Sequence, residues 1–339
     1  MSGRHADPAH EHAATRPLGT ATLEESVELA VLERSGFVES RHAGSAVVVG
    51  PDGSVLTELG SPGIAVYPRS CMKPFQAIAA LDTGIELDPV QTVLATASHA
   101  GTPQHVEVVE SVLRLAGLPE SALGCPPDWP GDSVARSAAA LEGGPRRVFM
   151  NCSGKHAAML LACVHSGWDV GSYLDLDHPL QERVRETVTS FTGEPIVHTG
   201  IDGCGAPVHA MSLTALARGI GRVRSARDGS AARLTASVLA NGWAIDGPGR
   251  ANTVVIDELG VLAKLGAEGV MVMAAEDGTA VAVKMLDGSL RAASLVALTL
   301  LERRGAVASD AVARVRAGLD LLVTGGGLPV GTIRVSAEV

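Results

Sequence analysis

Stretches with the pattern of β-strands lie near both ends of this chain, and stretches with the pattern of helices lie between them. From about residue 25 to 60 the chain is rich in β-branched residues, and Asp52-Gly53 between apolar flanks predicts a hairpin. A second predicted hairpin turns near Asp277-Gly278, and residues 331–339 predict a last strand. We therefore expect an α/β (α+β) fold, in which one antiparallel sheet built from both termini is covered by helices and interrupted by an inserted helical region.

Apolar residues at helical spacing predict that the middle of the chain is helical. The predicted helices span about residues 70–84, 88–97, 104–116, 152–166, 179–192, 207–218, 230–241 and 289–304. Because the sheet needs both ends of the chain, we expect a single domain over residues 21–339. Residues 1–20 are polar, carry three histidines and lack the apolar core of a secretory signal, so we interpret them as a mobile tail.

The charge balance excludes two broad classes of protein. With 27 basic and 37 acidic side chains, the net charge is -10, so no basic excess is present to neutralise nucleic-acid phosphates. The hydrophobic content of 46% is too high for a disordered chain. No apolar run is long enough to span a membrane, and five cysteines, an odd number, suit a reducing compartment better than a disulfide scaffold. We therefore expect a cytoplasmic protein that binds neither nucleic acid nor membrane.

Lysine is scarce in this chain, because only four of the 27 basic residues are lysines. They are Lys73, Lys155, Lys264 and Lys284. Since arginine supplies the ordinary surface charge, each lysine is a candidate for chemistry that arginine does not perform, such as loss of a proton when buried. We interpret Lys264 as the exception, an ordinary lysine on a helix surface.

Ser70 and Lys73 form an S-x-x-K pattern in the segment YPRSCMKPFQ. Residues three apart on a helix face the same way, so the lysine can reach the serine hydroxyl. Pro74 is tolerated only near a helix start, which places Ser70 where backbone N–H groups favour developing negative charge. A serine beside a desolvated lysine is an activated nucleophile, although the bare pattern also arises often by chance.

One further serine and one further lysine are candidate functional residues. Ser98, followed by His99, ends a predicted helix at a junction where functional groups are often displayed, and the alternative is a simple capping serine. Lys284 lies in an apolar strand, so it either faces the interior or a cleft, or is an exposed strand lysine.

Two cysteines lie in loops that open predicted helices. Cys152 precedes Lys155 in the segment FMNCSGKH, and Cys204 lies in a glycine-rich loop with Asp202. The first segment has Phe149 and His156 where a Walker A loop needs a glycine and a Ser or Thr, and the second lacks the spacing of a dinucleotide fingerprint. The two thiols therefore remain candidates for metal ligands, a redox pair or small buried residues.

Five segments, taken together and in this order, resemble the rhizobial-type (class 3) L-asparaginases, a family also called asparaginase II or thermolabile asparaginases. They are PRSCMKPFQ, SHAG, NCSGKH, GIDGCGAP and the region from GRANT to VKMLDG, between about residues 65 and 290. The middle of GRANT departs from the family pattern, which puts Ala251 and Asn252 in doubt as contacts but not the reaction.

The resemblance implies a serine-β-lactamase-like fold, a homodimer, and hydrolysis of L-asparagine to L-aspartate and ammonia. It implies a nucleophilic pair, a second serine–lysine pair, a zinc site and three positions near the substrate. The nucleophilic pair falls on Ser70 and Lys73, and the second pair on Ser98 and Lys284. The zinc site falls on Cys152, Lys155 and Cys204. The positions near the substrate are Arg69, His156 and Asp202. The zinc would orient the pocket rather than supply the nucleophile.

On this hypothesis Lys73 takes the proton of Ser70, which attacks the side-chain amide, while Ser98 and Lys284 relay a proton to the departing ammonia. Asp202 is the candidate for the substrate ammonium group, and Arg69 either for a carboxylate or for setting the pKa of the serine–lysine pair. The alternatives are a glutaminase, another Ser-Lys hydrolase of the β-lactamase or esterase kind, or a non-catalytic amino-acid-binding protein. A binding protein has no need for two serine–lysine pairs, which favours an enzyme.

Overall fold

The computed structural model describes residues 18–339. The predicted mobile tail over residues 1–20 therefore lies almost entirely outside the described residues. No helix between residues 18 and 339 combines the length and the apolar character needed to cross a membrane.

The described residues form one large antiparallel sheet of eight strands and a small sheet of three. In space the large sheet runs β10-β11-β1-β2-β9-β8-β7, with β3 paired to β2, and the small sheet runs β4-β6-β5. The strands are β1 (Val27–Arg34), β2 (Phe37–Val49), β3 (Val55–Leu59), β4 (Ala65–Val66), β5 (His198–Ile201), β6 (Pro207–Ser212), β7 (Leu262–Gly266), β8 (Val270–Ala274), β9 (Ala280–Met285), β10 (Leu322–Gly325) and β11 (Leu328–Val335).

The two ends of the chain meet in the large sheet. Near the N-terminal end of the described chain, Ala30 of β1 pairs with Val335 of β11, and Ser45 of β2 pairs with Lys284 of β9. All strand pairs in the sheet are antiparallel. The prediction of an antiparallel sheet built from both termini is therefore confirmed.

Helices cover the large sheet, and other helices make up most of the long connection between β4 and β5. They are α1 (Lys73–Leu81), α2 (Pro89–Leu94), α3 (Pro103–Ala116), α4 (Ser133–Glu142), α5 (Ser153–Ser166), α6 (Pro179–Thr192), α7 (Leu213–Ser225), α8 (Gly229–Ala240), α9 (Ala251–Leu259), α10 (Ala293–Arg303) and α11 (Ser309–Gly318). Because α1 to α6 all lie between β4 and β5, the predicted helical insertion is confirmed.

Strand β8 is apolar at every position and β9 at its first four, which is the pattern of strands covered on both faces. All five residues of β8 are fully buried, as are the first four of β9. Helices α7 and α10 both pack against these two strands. The residues are mainly Val, Ala and Met, in keeping with an aromatic content of only 3%.

The prediction of a helix over residues 207–218 is wrong in its first half. Residues Pro207–Ser212 form β6, which pairs with β5, and only Leu213 begins the helix. Ser212 caps that helix, because its hydroxyl oxygen accepts a hydrogen bond from the Ala215 N–H at 2.9 Å. Strand pairing with β5 overrides a local helical pattern here.

Candidate active site

Ser70 lies in a short 3-10 turn, Arg69–Met72, that runs directly into α1. Its side chain is half-buried and lines a cavity of about 300 Å³, which Ser98 also lines. Strand β7 packs against the turn through Gly266, where a Cβ atom would lie 2.5 Å from the Pro68 carbonyl oxygen. A glycine at this position therefore allows the sheet to approach the serine turn.

Ser98 is held by two buried lysines. The Lys73 Nζ donates to the Ser98 Oγ at 2.9 Å and to the Ala97 carbonyl at 2.6 Å. The Lys264 Nζ donates to the same Oγ at 2.8 Å and to the Leu265 carbonyl at 2.8 Å. Both lysine side chains are about 1% exposed. The hydroxyl of Ser98 thus bridges two amines.

Burial and the nearby Lys73 lower the pKa of Lys264 to about 7. Burial disfavours the charged form of a lysine, and a second cation adds to that effect. A lysine with a pKa near 7 is unprotonated in part of the population at neutral pH and can accept a proton.

Two predictions about lysines are therefore wrong. Lys264 is buried in β7, not exposed on a helix, and it contacts Ser98. Lys284, the predicted partner of Ser98, donates instead to the carbonyls of Glu268 and Met285 and lines a separate cavity. The physical reason is the strand order, because β7 packs against the serine turn and β9 is separated from β7 by β8.

The predicted Ser70–Lys73 pair lies at the same cavity without a direct bond. Among the described residues no hydrogen bond joins the two side chains, since the Lys73 nitrogen is directed to Ser98 and Ala97. Such bonds are often long before substrate binds. Ser70 keeps its position at the start of a helix, with its side chain in the cavity wall.

Arg69 and Asp202 contact each other. The Arg69 Nε donates to the Asp202 Oδ1 at 2.7 Å, and the Gly203 N–H donates to the same oxygen at 2.8 Å. Although burial alone raises the pKa of Asp202, the hydrogen bond and charge of Arg69 outweigh it and lower the pKa. Neither side chain lines the serine cavity; Arg69 lines the neighbouring cavity of about 590 Å³.

The predicted metal residues are gathered in the interior. The Lys155 Nζ donates to the Cys204 Sγ at 3.2 Å. The neighbouring Cys204 lowers the pKa of Cys152 well below its ordinary value, and Cys152 in turn raises the pKa of Cys204. His156 is fully buried; its Nδ1 bonds the Tyr173 hydroxyl at 2.6 Å, while its Nε2 has no hydrogen-bond partner in the described part of the chain.

The chemistry of this donor set fits a zinc ion, because thiolates and an imidazole nitrogen are ordinary zinc ligands and the lysine amine is a further donor. Over residues 18–339, no group of three or more His, Cys, Asp and Glu side chains has the arrangement of a metal site. The predicted set has only two cysteines and depends on Lys155 for its third donor.

Three polar residues that line the serine cavity were not predicted. They are Asp246, Arg250 and Asn252. The Asp246 carboxylate accepts from the Arg250 Nε at 2.6 Å and from the Asn252 Nδ2 at 3.2 Å. The departure of the GRANT segment from the family pattern had put Asn252 in doubt as a contact. A signal was present, since an acidic and a basic residue flank Gly-Pro-Gly in the segment DGPGR.

Comparisons with known proteins bear on what this site does. A family model described as L-asparaginase II matches residues 30–335, nearly the whole chain. No curated protein matches the sequence. Among solved structures, a Bacillus glutaminase crystallised in 4.3 M NaCl superposes with a TM-score of 0.34 at 12% sequence identity, covering 77% of this chain and 91% of that one. The chain is an enzyme that belongs to the L-asparaginase II family.

Proposed function

We propose that this enzyme hydrolyses L-asparagine to L-aspartate and ammonia through an acyl-enzyme formed on Ser70. The observation that carries the mechanism is the Ser98 hydroxyl, which accepts from both Lys73 and Lys264 in a cavity that Ser70 also lines. Two amines joined through one hydroxyl form a path along which a proton can move. This arrangement supports a Ser-Lys hydrolase.

In the proposed path, the unprotonated amine of Lys264 is the final proton acceptor. A proton passes from Lys73 to the Ser98 hydroxyl while the Ser98 proton passes to Lys264, which leaves Lys73 as a free base. Lys73 then takes the hydroxyl proton of Ser70 as the Ser70 oxygen attacks the amide carbon. The low pKa of Lys264 supports its place at the end of this path.

The remaining steps use the same groups in reverse. The backbone N–H of Ser70 lies in the first turn of its helix, where N–H groups lack helical partners and can stabilise the oxyanion. The Ser98 hydroxyl gives a proton to the amide nitrogen as ammonia leaves. A water molecule, deprotonated by the same lysine path, then hydrolyses the ester on Ser70.

We further propose that Cys152, Lys155 and Cys204 hold a zinc ion, with the unpartnered Nε2 of His156 as a fourth donor. When bound, the ion would join the helix that carries Lys155 to the loop that carries Cys204. These residues lie deeper than the reacting serine, so their part in the reaction is to hold the shape of the site. The serine-β-lactamase-like fold, a homodimer and a cytoplasmic location belong to the same proposal.

Ammonia release from L-asparagine and L-glutamine tests the proposed function. Wild-type enzyme is expected to release ammonia from L-asparagine, and no release would overturn the proposal. Acid quenching during turnover, followed by peptide mapping, is expected to find an aspartyl group on Ser70. Ser70→Ala should abolish both turnover and the adduct, whereas an adduct on Ser98 would reverse the roles of the two serines.

A further inference from the structure

We propose that Asp246 and Arg250 form the subsite for the amino-acid end of the substrate, with Asp246 binding the α-ammonium group and Arg250 the α-carboxylate. This inference rests on the proposed function and names the residues that would distinguish asparagine from other amides. The amide of asparagine is neutral, so a zwitterionic head group is the feature that a selective site must bind.

The backbone places Asp246 beside the serine loop. The Ser98 N–H donates to the Ile245 carbonyl at 2.9 Å, and the Ala100 N–H donates to the Asp246 carbonyl at 2.7 Å. Ser70, Ser98 and Asp246 all line the same cavity of about 300 Å³. In asparagine only two carbons separate the amide carbon from the ammonium nitrogen, so both ends of the substrate must be bound within one such cavity.

The Asp246 carboxylate is buried but not saturated. Its side chain is 8% exposed, and its two oxygens accept one hydrogen bond each, from Arg250 and from Asn252. A carboxylate can accept about four hydrogen bonds, so two acceptor sites are left for an ammonium group. A buried carboxylate with unused acceptor sites can bind a second cationic donor alongside the Arg250 side chain with which it is already paired.

Arg250 presents the complementary charge. Its Nε is used by Asp246, whereas within residues 18–339 its Nη1 and Nη2 donate to no acceptor. The side chain is 48% exposed, and its Nη1 lies 4.0 Å from where a Cβ of Gly131 would stand. The two terminal nitrogens are therefore free to hold a carboxylate in a bidentate manner.

Gly247 leaves room for the Arg250 side chain beside the cavity. Gly247 has φ +148°, and a Cβ there would lie 3.1 Å from the Arg250 Cδ and 3.2 Å from the Ala100 Cβ. A side chain at this position would push the arginine away from the cavity. By contrast, Asp202 and Arg69 are paired with each other outside this cavity, which leaves Asp246 and Arg250 as the ion pair that faces Ser70.

Substrate analogues that lack one end of the head group test the assignment. Succinamate lacks the α-ammonium group, and 3-aminopropanamide lacks the α-carboxylate. Asp246→Asn is expected to lower kcat/KM for asparagine about 10- to 100-fold, the loss typical of a charged hydrogen bond, and to leave the lower rate on succinamate unchanged. Arg250→Gln should show the opposite pattern, with a loss on asparagine and succinamate and none on 3-aminopropanamide.

Controls separate this inference from the proposed function. Asp257→Asn removes an exposed carboxylate from the same α9 helix that carries Asn252 and should match wild type on all three amides. An equal loss on asparagine and succinamate in Asp246→Asn would overturn the inference. Asp128 is a second carboxylate that lines the same cavity, so the expected pattern found in Asp128→Asn instead would also overturn it. If Asp246→Asn fails to fold, as judged by thermal unfolding, the half-exposed Arg250→Gln decides alone. Absence of any ammonia release by wild type would overturn the proposed function itself.

Discussion

The side-chain nitrogen of Lys264 lies 2.8 Å from the hydroxyl oxygen of Ser98. Ser98 lines the cavity that Ser70 also lines, whereas Lys264 is buried. This contact joins β7, the strand at one edge of the large sheet, to the loop that follows α2. A buried amine beside a second amine is costly to protonate, so the contact carries chemical consequences that can be measured.

Lys264→Met should lower kcat for asparagine by about 10²- to 10⁴-fold, because the terminal base of the proton path is removed. Lys264→Arg should be similarly impaired, since arginine does not lose its proton. Lys284→Met is the matched control, since this lysine lies in the same sheet but contacts only backbone carbonyls. Steady-state kinetics of the three variants provide the measurement. A larger loss in Lys284→Met than in Lys264→Met would contradict the assignment.

The pH profile of kcat/KM should have an acidic limb near pH 7, because Lys264, whose pKa is about 7, accepts a proton only in its neutral form. Activity should therefore rise as the pH increases from about 6 to 8. Lys264→Met should lose this limb along with most of its activity. An acidic limb that persists unchanged in the residual activity of Lys264→Met would assign it to another group.

The same pKa predicts how stability depends on pH. Because burial lowers the pKa of Lys264 from an ordinary 10.5 to about 7 in the folded state, the unfolded chain binds the extra proton between these two values. The contribution of Lys264 to the free energy of unfolding should therefore rise with pH across this window. Urea unfolding of wild type and Lys264→Met, compared at several pH values, isolates the contribution. A difference that stays constant with pH would contradict it.

The sequence pattern predicted the sheet and the serine positions better than the lysine partner of Ser98. Runs of apolar residues, such as β8 and the first four residues of β9, are recognisable as strands because each of these residues is buried. The five-residue strand β7 has a lysine between apolar neighbours, and this local pattern is equally typical of a helix surface. Only the pairing of β7 with β8, and its packing against the serine turn, brings Lys264 to Ser98.

Three residues that line the cavity were not predicted, because they too depend on a contact between distant parts of the chain. Asp246, Arg250 and Asn252 are brought to Ser98 by backbone hydrogen bonds between residues 245–246 and residues 98–100, which are about 150 positions apart. No local periodicity reports such a contact. The thiols of Cys152 and Cys204 were predictable as a set only through family resemblance, because their spacing alone also fits buried residues.

Asn252→Ala should reduce both stability and turnover. The Asn252 Oδ1 accepts from the Leu265 N–H at 3.0 Å, next to Lys264, and its Nδ2 donates to Asp246. Because these groups are buried, losing the amide should cost about 1–3 kcal/mol of unfolding free energy. Denaturant unfolding and kcat give the two readouts. Asn241→Ala is the control, because this half-buried residue at the end of α8 donates only to the Ser237 carbonyl, at 3.0 Å, and should change kcat little. Equal effects of the two variants would argue against a specific role for Asn252.

Gly266→Ala should displace the serine turn. The added Cβ would lie 2.5 Å from the Pro68 carbonyl oxygen and 3.1 Å from the Cys71 Sγ, both of them adjoining the Ser70 turn. We expect a lower melting temperature and a loss of kcat that exceeds the change in KM. Gly63→Ala is the control, because a Cβ there meets no atom within 4 Å. Retention of full kcat in Gly266→Ala would show that the turn tolerates the shift.

Metal content tests the cysteine set independently of activity. Protein purified without chelator should carry zinc, and Cys152→Ser or Cys204→Ser should lose most of it, because each removes a thiolate ligand. Cys163→Ser is the matched control, since this cysteine is also fully buried and lies on the same helix as Lys155. Elemental analysis by mass spectrometry gives the metal-to-protein ratio, with thermal unfolding as a check on folding. Equal zinc content in all four proteins, or none in any, would contradict the ligand assignment.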